Sequence, residues 1–104
     1  MKKASAPTLT PEQRAAALEK AREARARRSE IARGLASGEM RFSELLEMDE
    51  PAVAKMRVSA AVKAMPGYGA ARTDGLLDKL GIAESRRIGG LGSRQRAALI
   101  EIFG

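Results

Sequence analysis

Apolar residues in this chain recur at helical spacing, and no segment alternates apolar and polar residues as a half-buried strand would. Three groups carry large side chains three or four positions apart, the spacing that places them on one face of a helix. The groups are Phe42, Leu45 and Leu46; Leu76, Leu77 and Leu80; and Ala97, Leu99, Ile100 and Phe103. Val53, Met56 and Val58 extend the apolar stripe between the first two groups. The pattern predicts an all-α domain with five or six helices.

The first predicted helix differs from the others because its apolar residues are mostly alanine. Thr10 can cap it, Pro11 suits its first turn, and Gln13 completes a capping box. We expect it to continue to about residue 33, with Gly34 as the first plausible stop. Leu18 and Ile31 are its only large apolar residues before that stop, so its first half is expected to project or to pack lightly.

The remaining boundaries follow from proline, serine and glycine. Pro51 is expected to begin a new helix after a break. Ser59 is expected to cap a short helix that ends near Met65. Gly81 is expected to end the next helix, and Ser93 is expected to cap the last one. The predicted organisation is a disordered tail over 1–9, a helical arm over 10–36 and a compact domain over 37–104.

Composition removes several classes of chemistry. The chain has no cysteine and no histidine, which excludes thiol nucleophiles, disulfides and histidine acid–base catalysis, and disfavours zinc binding. Asp74 and Asp78 share a helix face but have no partners that indicate a catalytic or metal site. We therefore expect no enzyme, no cofactor, no metal and no small-molecule substrate. No apolar run approaches the ~20 residues of a membrane span, and the basic start lacks a secretory apolar region, so we expect a cytoplasmic protein.

Charge is segregated along the chain, whose formal net charge is +6. Residues 1–33 hold nine Lys/Arg and four Asp/Glu, a net charge of +5; residues 34–50 carry −4; and residues 51–104 again carry +5. Two basic segments around an acidic connector would suit a polyanion such as nucleic acid. For the first segment the alternative is a solvated helix with Glu–Arg pairs, such as Glu23 with Arg27.

The sequence Pro66-Gly67-Tyr68-Gly69 lies between two predicted helices. Gly67 and Gly69 permit positive φ and close approach of an anion, and a helix beginning at Ala70 would present free backbone N–H groups. Arg72 lies one turn further on. The turn resembles the hairpins with which helix–hairpin–helix and helix–two-turn–helix proteins hold DNA phosphates. The alternative is a tight connection with no ligand.

Two further basic groups complete the candidate phosphate contacts. Several arginines lie in a glycine-rich connection and at the start of the last helix, where their positive charge opposes the helix dipole. The alternative to phosphate binding is a solubilising loop whose arginines pair with Glu84 and Glu101. Cations also flank Met56, and the alternative there is an ordinary exposed pair. The candidate residues are Arg86, Arg87, Gly90, Gly92, Arg94 and Arg96 in the first group, and Lys55, Arg57 and Lys63 in the second.

Four motifs in order resemble the actinobacterial integration host factor family: residues 9–21, 55–60, 65–69 and 85–95. The resemblance runs from about Leu9 to Gly104. It implies a nucleoid-associated protein with a helix–two-turn–helix domain that binds double-stranded DNA with little sequence preference. It also implies DNA bending or compaction and support for phage integration, which would make an integrase a further partner. We expect a monomer in the absence of DNA.

Two departures from the family pattern each remove a cation from the expected DNA face. Ala70 stands where the family commonly has lysine, and Gly89 stands where it commonly has arginine.

The residues also leave two other functions open. One is an RNA-binding module like the small-subunit ribosomal protein with the same core. The other is a protein–protein adaptor that works through the arm.

Overall fold

The structure, a computed structural model, describes residues 9–104, so the predicted tail lies outside it except for Leu9. All regular elements of residues 9–104 are helices, with one isolated β-bridge and no strand, which confirms the all-α prediction. The elements are α1 (Pro11–Ser37), α2 (Phe42–Glu47), α3 (Pro51–Ala54), α4 (Val58–Ala64), α5 (Ala70–Leu80), a 3-10 turn (Ile88–Gly90) and α6 (Ser93–Phe103).

Helix α1 begins as predicted and ends later than predicted. The Thr10 hydroxyl accepts from the Gln13 N–H at 3.1 Å, and the Gln13 side chain accepts from the Thr10 N–H at 3.0 Å. The helix passes through Gly34 and ends at Gly38, which takes the left-handed conformation with φ 83°. Gly34 is not the stop. It lies against Met40, where a β-carbon would come within 3.3 Å of the Met40 side chain, so glycine serves close packing at this position.

The two halves of α1 lie in different surroundings. Every residue from 11 to 20 is exposed, and Leu18 is 59% exposed, as expected of a projecting segment. In the second half, Ile31 and Leu35 are almost fully buried and join the core. The second half of α1 is thus anchored, against α3 and α4, and holds the first half clear of the domain.

Neither predicted serine cap is used. Helix α4 begins one residue before Ser59, with Arg57 in the capping position, and α6 is capped by Gly92. Arg57 is held in extended conformation by an antiparallel bridge to Arg87, in which Val58 N–H donates to the Arg86 carbonyl and Ile88 N–H donates to the Met56 carbonyl. Because that bridge fixes residue 57 as the last extended position, the helix starts directly after it.

The core is aliphatic around one buried phenylalanine. Phe42 is fully buried and stacks on Phe103 at a centroid distance of 5.0 Å; Tyr68 meets Phe103 edge-on at 5.1 Å. All three aromatic residues of the chain therefore form one cluster that joins α2, α6 and the glycine turn. The apolar positions expected on α6 are confirmed at Leu99, but Ala97 and Ile100 are exposed because α6 turns only one narrow face inward. No helix within residues 9–104 is long and apolar enough to cross a membrane.

Candidate nucleic-acid interface

The N-terminus of α1 is closed, whereas that of α5 is open and that of α6 is partly open. Helix α1 has a capping box and Glu12 in its first turn. Helices α5 and α6, of 11 residues each, follow Gly69 and Gly92 and have no acid in the first turn. No side chain caps α5, whereas in α6 the Gln95 side chain accepts from the Gly92 N–H at 3.0 Å. In α5 the N–H groups of residues 70–72 have no acceptor within the described part of the chain. Both termini therefore offer backbone donors and a positive dipole end to an anion.

The glycine turn needs positive φ at only one of its two glycines. Gly67 has φ 82°. Gly69 has φ −87° and ψ −175°, an extended conformation that any residue adopts, so the expectation of positive φ there is wrong. A β-carbon on Gly69 would meet nothing within 4 Å. What glycine provides at this position is the lack of a side chain that could cap the first turn of α5.

Arg72 and Tyr68 form a unit at the same helix start. The Arg72 guanidinium lies 4.3 Å from the centre of the Tyr68 ring, and its Nη1 donates to the Gly67 carbonyl at 3.2 Å. Tyr68 is half-buried between Arg72 and Phe103. Cation–π contact and the carbonyl bond hold the exposed Arg72 charge beside the free N–H groups.

Arg96 is not an outward-facing cation. Its half-buried guanidinium donates to three backbone carbonyls: Leu46 at 2.9 Å, Ile88 at 3.2 Å and Leu91 at 3.4 Å. These acceptors lie near the end of α2, at the first residue of the 3-10 turn and directly after that turn. Arg96 therefore fastens α6 to the segment that carries Arg86 and Arg87, and its expected phosphate contact stays a prediction. Arg94, two positions earlier, is exposed.

The Arg57–Arg87 bridge brings together cations that are distant in sequence. Arg86 and Arg87 are both exposed. Arg86 donates to the Gly90 carbonyl at 2.9 Å, and Arg87 donates to the Lys55 carbonyl. Arg87 therefore lies beside Lys55 and Arg57, so the two basic groups expected to form separate surfaces are joined through it. Lys63 is exposed in the last turn of α4.

A cleft of about 640 Å³ opens between α1 and the Arg57–Arg87 bridge. We call it the cationic cleft; its lining residues are Arg25, Arg28, Ser29, Ala32, Lys55, Met56, Arg57, Ala60 and Arg87. Met56 is buried and both flanking cations point outward, as predicted. Arg25, Arg28 and Ser29 were not among the predicted site residues. Their spacing of three and four positions on one helix was the available signal.

Arg27 faces away from the cationic cleft and pairs with acids. The Glu23–Arg27 pair named as an example of the alternative does not form: Arg27 forms a two-point ion pair with Glu50, at 2.8 and 2.9 Å, and lies 3.8 Å from Glu30. Glu–Arg pairing on α1 does occur between Glu19 and Arg22, at 3.2 Å. The hydrogen bonds from Arg27 lower the pKa of the Glu50 carboxyl, and the same bonds raise the pKa of Arg27. This pair joins the middle of α1 to the start of α3.

The two departures from the family pattern lie in different surroundings. Ala70 is exposed in the first position of α5. Gly89 lies against α3, where an added β-carbon would come within 3.1 Å of the Ala54 β-carbon and 3.2 Å of its carbonyl oxygen. Its φ is not in the left-handed region, so crowding rather than backbone conformation restricts that position.

Comparison with known proteins gives consistent matches. A family model described as an S13-like H2TH domain matches residues 35–103. The integration host factor of Streptomyces coelicolor is 45% identical over 100 residues, covering 94% of each chain. That of Mycobacterium tuberculosis is 46% identical over 101 residues, covering 94% of this chain and 95% of the relative.

A solved structure matches as well. It is described as sIHF bound to an 8bp palindromic DNA, with a TM-score of 0.80 and 39% identity, and the match covers 83% of this chain and 99% of that one. The domain model begins in the last turns of α1, whereas the full-length relatives also match the projecting half of that helix.

Proposed function

Since this chain belongs to the actinobacterial integration host factor family, we propose that it is a nucleoid-associated protein that binds double-stranded DNA with little sequence preference. In this function it bends or compacts DNA and supports phage integration, and it has no enzymatic role. The solved structure that it matches is a complex with DNA, which supports the choice of partner.

The observation that carries the proposal is the pair of helix N-termini, open in α5 and partly open in α6. Gly69 leaves the first turn of α5 without a capping side chain, and in α6 a side chain bonds only the Gly92 N–H. Each first turn also holds an exposed arginine, Arg72 or Arg94. A fully capped helix start, as in α1, is the more stable arrangement. Helix starts with free N–H groups and a nearby cation are suited to phosphate oxygens, which accept hydrogen bonds and carry charge.

These contacts would hold the DNA backbone without reading bases. Backbone amides and arginines near phosphates fix position but carry no sequence information. Arg86 and Arg87 extend the footprint from the glycine-rich connection to Lys55 and Arg57, and the arm over 10–36 adds a basic helix beside them. A second contact region of this kind would let one molecule bend a duplex or bridge two segments.

RNA binding of the ribosomal type is the second candidate, because the matched domain model is itself S13-like. The full-length match to integration host factors, which includes the arm, favours DNA. Duplex DNA and duplex RNA of equal length, compared in one binding assay, separate the two. Tighter binding to RNA would overturn the proposal, and binding to neither would leave the adaptor function.

The main test is a duplex titration at several salt concentrations. Each phosphate neutralised contributes about −0.9 to the slope of log affinity against log salt. We expect a footprint of about five to eight phosphates, and similar affinities for unrelated duplex sequences. A shallow slope, or a strong preference for one short site, would contradict electrostatic backbone binding.

The two positions that depart from the family pattern, Ala70 and Gly89, allow a matched test in which a cation is restored at each. Ala70→Lys adds a cation at an open, exposed position and should tighten duplex binding and steepen the salt slope by about one unit. Gly89→Arg adds the same charge but forces a β-carbon against Ala54, so we expect it to lower the melting temperature. If a folded Ala70→Lys protein binds DNA no better than the parent, the start of α5 does not face DNA.

A further inference from the structure

The cationic cleft differs from the rest of the basic surface because it is concave and has cations on several sides. Arg25 and Arg28 approach from α1, Lys55 and Arg57 from the segment before α4, and Arg87 from the far side of the bridge. Three separate stretches of the chain thus supply charge to one opening. The tertiary fold brings these cations together, whereas the arginines along the arm are neighbours simply because they lie on one helix.

The charge in the cationic cleft is uncompensated. No acid lines it, and within residues 9–104 the side chains of Arg25, Arg28, Lys55 and Arg57 form no ion pair or hydrogen bond. Acids are available nearby, but Glu30 and Glu50 pair with Arg27, which faces away. Like charges held together in a concavity repel and raise the local positive potential, so the folded protein keeps an unfavourable arrangement that an anion would relieve.

Part of the lining of the cationic cleft is not charged. Met56, Ala32 and Ala60 are apolar, together called its apolar floor, and the Ser29 hydroxyl adds a neutral donor and acceptor. The cleft volume of about 640 Å³ lies within the usual range of small-molecule sites, about 300–1,000 Å³. This volume is too small to hold a segment of duplex, which would contact the cleft from outside, at its rim. The cleft therefore fits a compact anion.

From this arrangement we propose that the cationic cleft binds a compact polyphosphate anion, with the phosphate chain among Arg25, Arg28, Lys55, Arg57 and Arg87. The ligand is a nucleoside polyphosphate or an inorganic polyphosphate. Guanidinium groups bind phosphate oxygens through paired hydrogen bonds, and five cations match the charge of three or four phosphates. The apolar floor favours the nucleoside form, because a base could lie on it.

The test measures ligand binding to the full chain without DNA, so its failure leaves the duplex assay unaffected. Calorimetry at constant ionic strength compares sodium salts of ATP and tripolyphosphate with adenosine. Arg28→Gln removes a cleft cation, and Arg33→Gln, at an exposed position of the same helix outside the cleft, is the matched control. We expect saturable one-to-one binding that Arg28→Gln weakens about tenfold and Arg33→Gln leaves nearly unchanged.

The relative affinities of the two ligands identify the ligand class. A higher affinity for ATP than for tripolyphosphate assigns the cleft to nucleoside polyphosphates, and equal affinities assign it to inorganic polyphosphate. Absence of saturable binding, or an equal effect of both substitutions, overturns the proposal. Amide chemical shifts of the unmodified protein give a measurement that needs no variant: on titration the changes should concentrate at residues 25–32, 55–60 and 87, and changes elsewhere would also overturn it.

Binding here would also affect the proposed DNA contacts, a consequence that rests on the proposed function. Lys55, Arg57 and Arg87 belong both to the cleft and to the proposed duplex footprint. A ligand that occupies the cleft should therefore lower duplex affinity at constant ionic strength, and Arg28→Gln should reduce that effect. If ligand binds to the cleft but duplex affinity stays constant, the duplex does not use the rim.

Discussion

Replacing Arg96 with alanine should destabilise the fold more than replacing any exposed arginine. The substitution removes three donors from the carbonyls of Leu46, Ile88 and Leu91. The first two bonds are short enough to be strong, and the third, at 3.4 Å, contributes little. A hydrogen bond to a charged group stabilises by about 1.5–3 kcal/mol. Because the guanidinium is only half-buried, water screens and partly replaces these bonds, and we expect the two shorter ones together to contribute about 2 kcal/mol.

Thermal unfolding measures this effect. A change of 1 kcal/mol shifts the melting temperature of a domain of this size by about 4–8 °C, so Arg96→Ala should melt about 10 °C lower than the parent. Arg94→Ala is the control, since Arg94 is exposed in the first turn of the same helix, and it should change stability by less than about 0.5 kcal/mol.

A lysine at position 96 separates charge from geometry. Lysine keeps the charge, but it cannot span several carbonyls with a planar fork. If Arg96 acts by fastening the 3-10 turn to α2 and α6, Arg96→Lys should recover only a small part of the lost stability. An alanine variant that melts with the parent, or a lysine variant that is fully restored, would refute this role and return Arg96 to the phosphate contacts.

Three further predictions concern the start of α5, an ion pair and the core. Gly69→Asp should raise the melting temperature by capping α5 and should weaken duplex binding by occupying its free N–H groups, whereas Gly69→Ala should bind nearly as the parent does; equal binding by both would contradict the anion site. Because the pKa of Glu50 is lowered by Arg27, its stabilising contribution exists above the ordinary pKa of about 4.5 and disappears as pH falls below it. Melting curves of Glu50→Gln and the parent should therefore differ at pH 7, and the difference should shrink as pH falls below 4.5. Phe42→Ala removes the buried partner of Phe103 and should cost about 3–5 kcal/mol in chemical denaturation; a loss below about 1 kcal/mol would contradict the packing.

Local signals in the sequence predicted most of the helices. The Thr10–Gln13 capping box, the proline at position 51 and the glycine at position 81 each act on neighbouring residues, and all three appear where expected. The clearest error arises where a distant residue decides. Ser59 looks like a cap until Arg87 holds Arg57 in extended conformation.

In the candidate site, too, features set by neighbouring residues could be predicted and features set by distant residues could not. Composition and spacing identified exposed cations such as Arg72 and Arg94, because their exposure follows from local position. The internal role of Arg96 could not be predicted, since its acceptors lie as far as 50 residues away. The cationic cleft could not be predicted for the same reason: Arg28 and Arg87 become neighbours only after α1 packs against the bridge.

The bridge between Arg57 and Arg87 also makes the chain modular. Its hydrogen bond from Val58 N–H to the Arg86 carbonyl, at 3.0 Å, closes the segment from 58 to 86 into a loop whose ends are adjacent. That loop contains α4, the glycine turn and α5, including the open N-terminus at Gly69. A segment with neighbouring ends can be exchanged between relatives when it keeps its packing against the rest of the domain, here against α1 and Phe103. Chimeras that swap this loop and keep those contacts would transfer the proposed phosphate-binding turn as one piece, and its affinity could be adjusted independently of the arm.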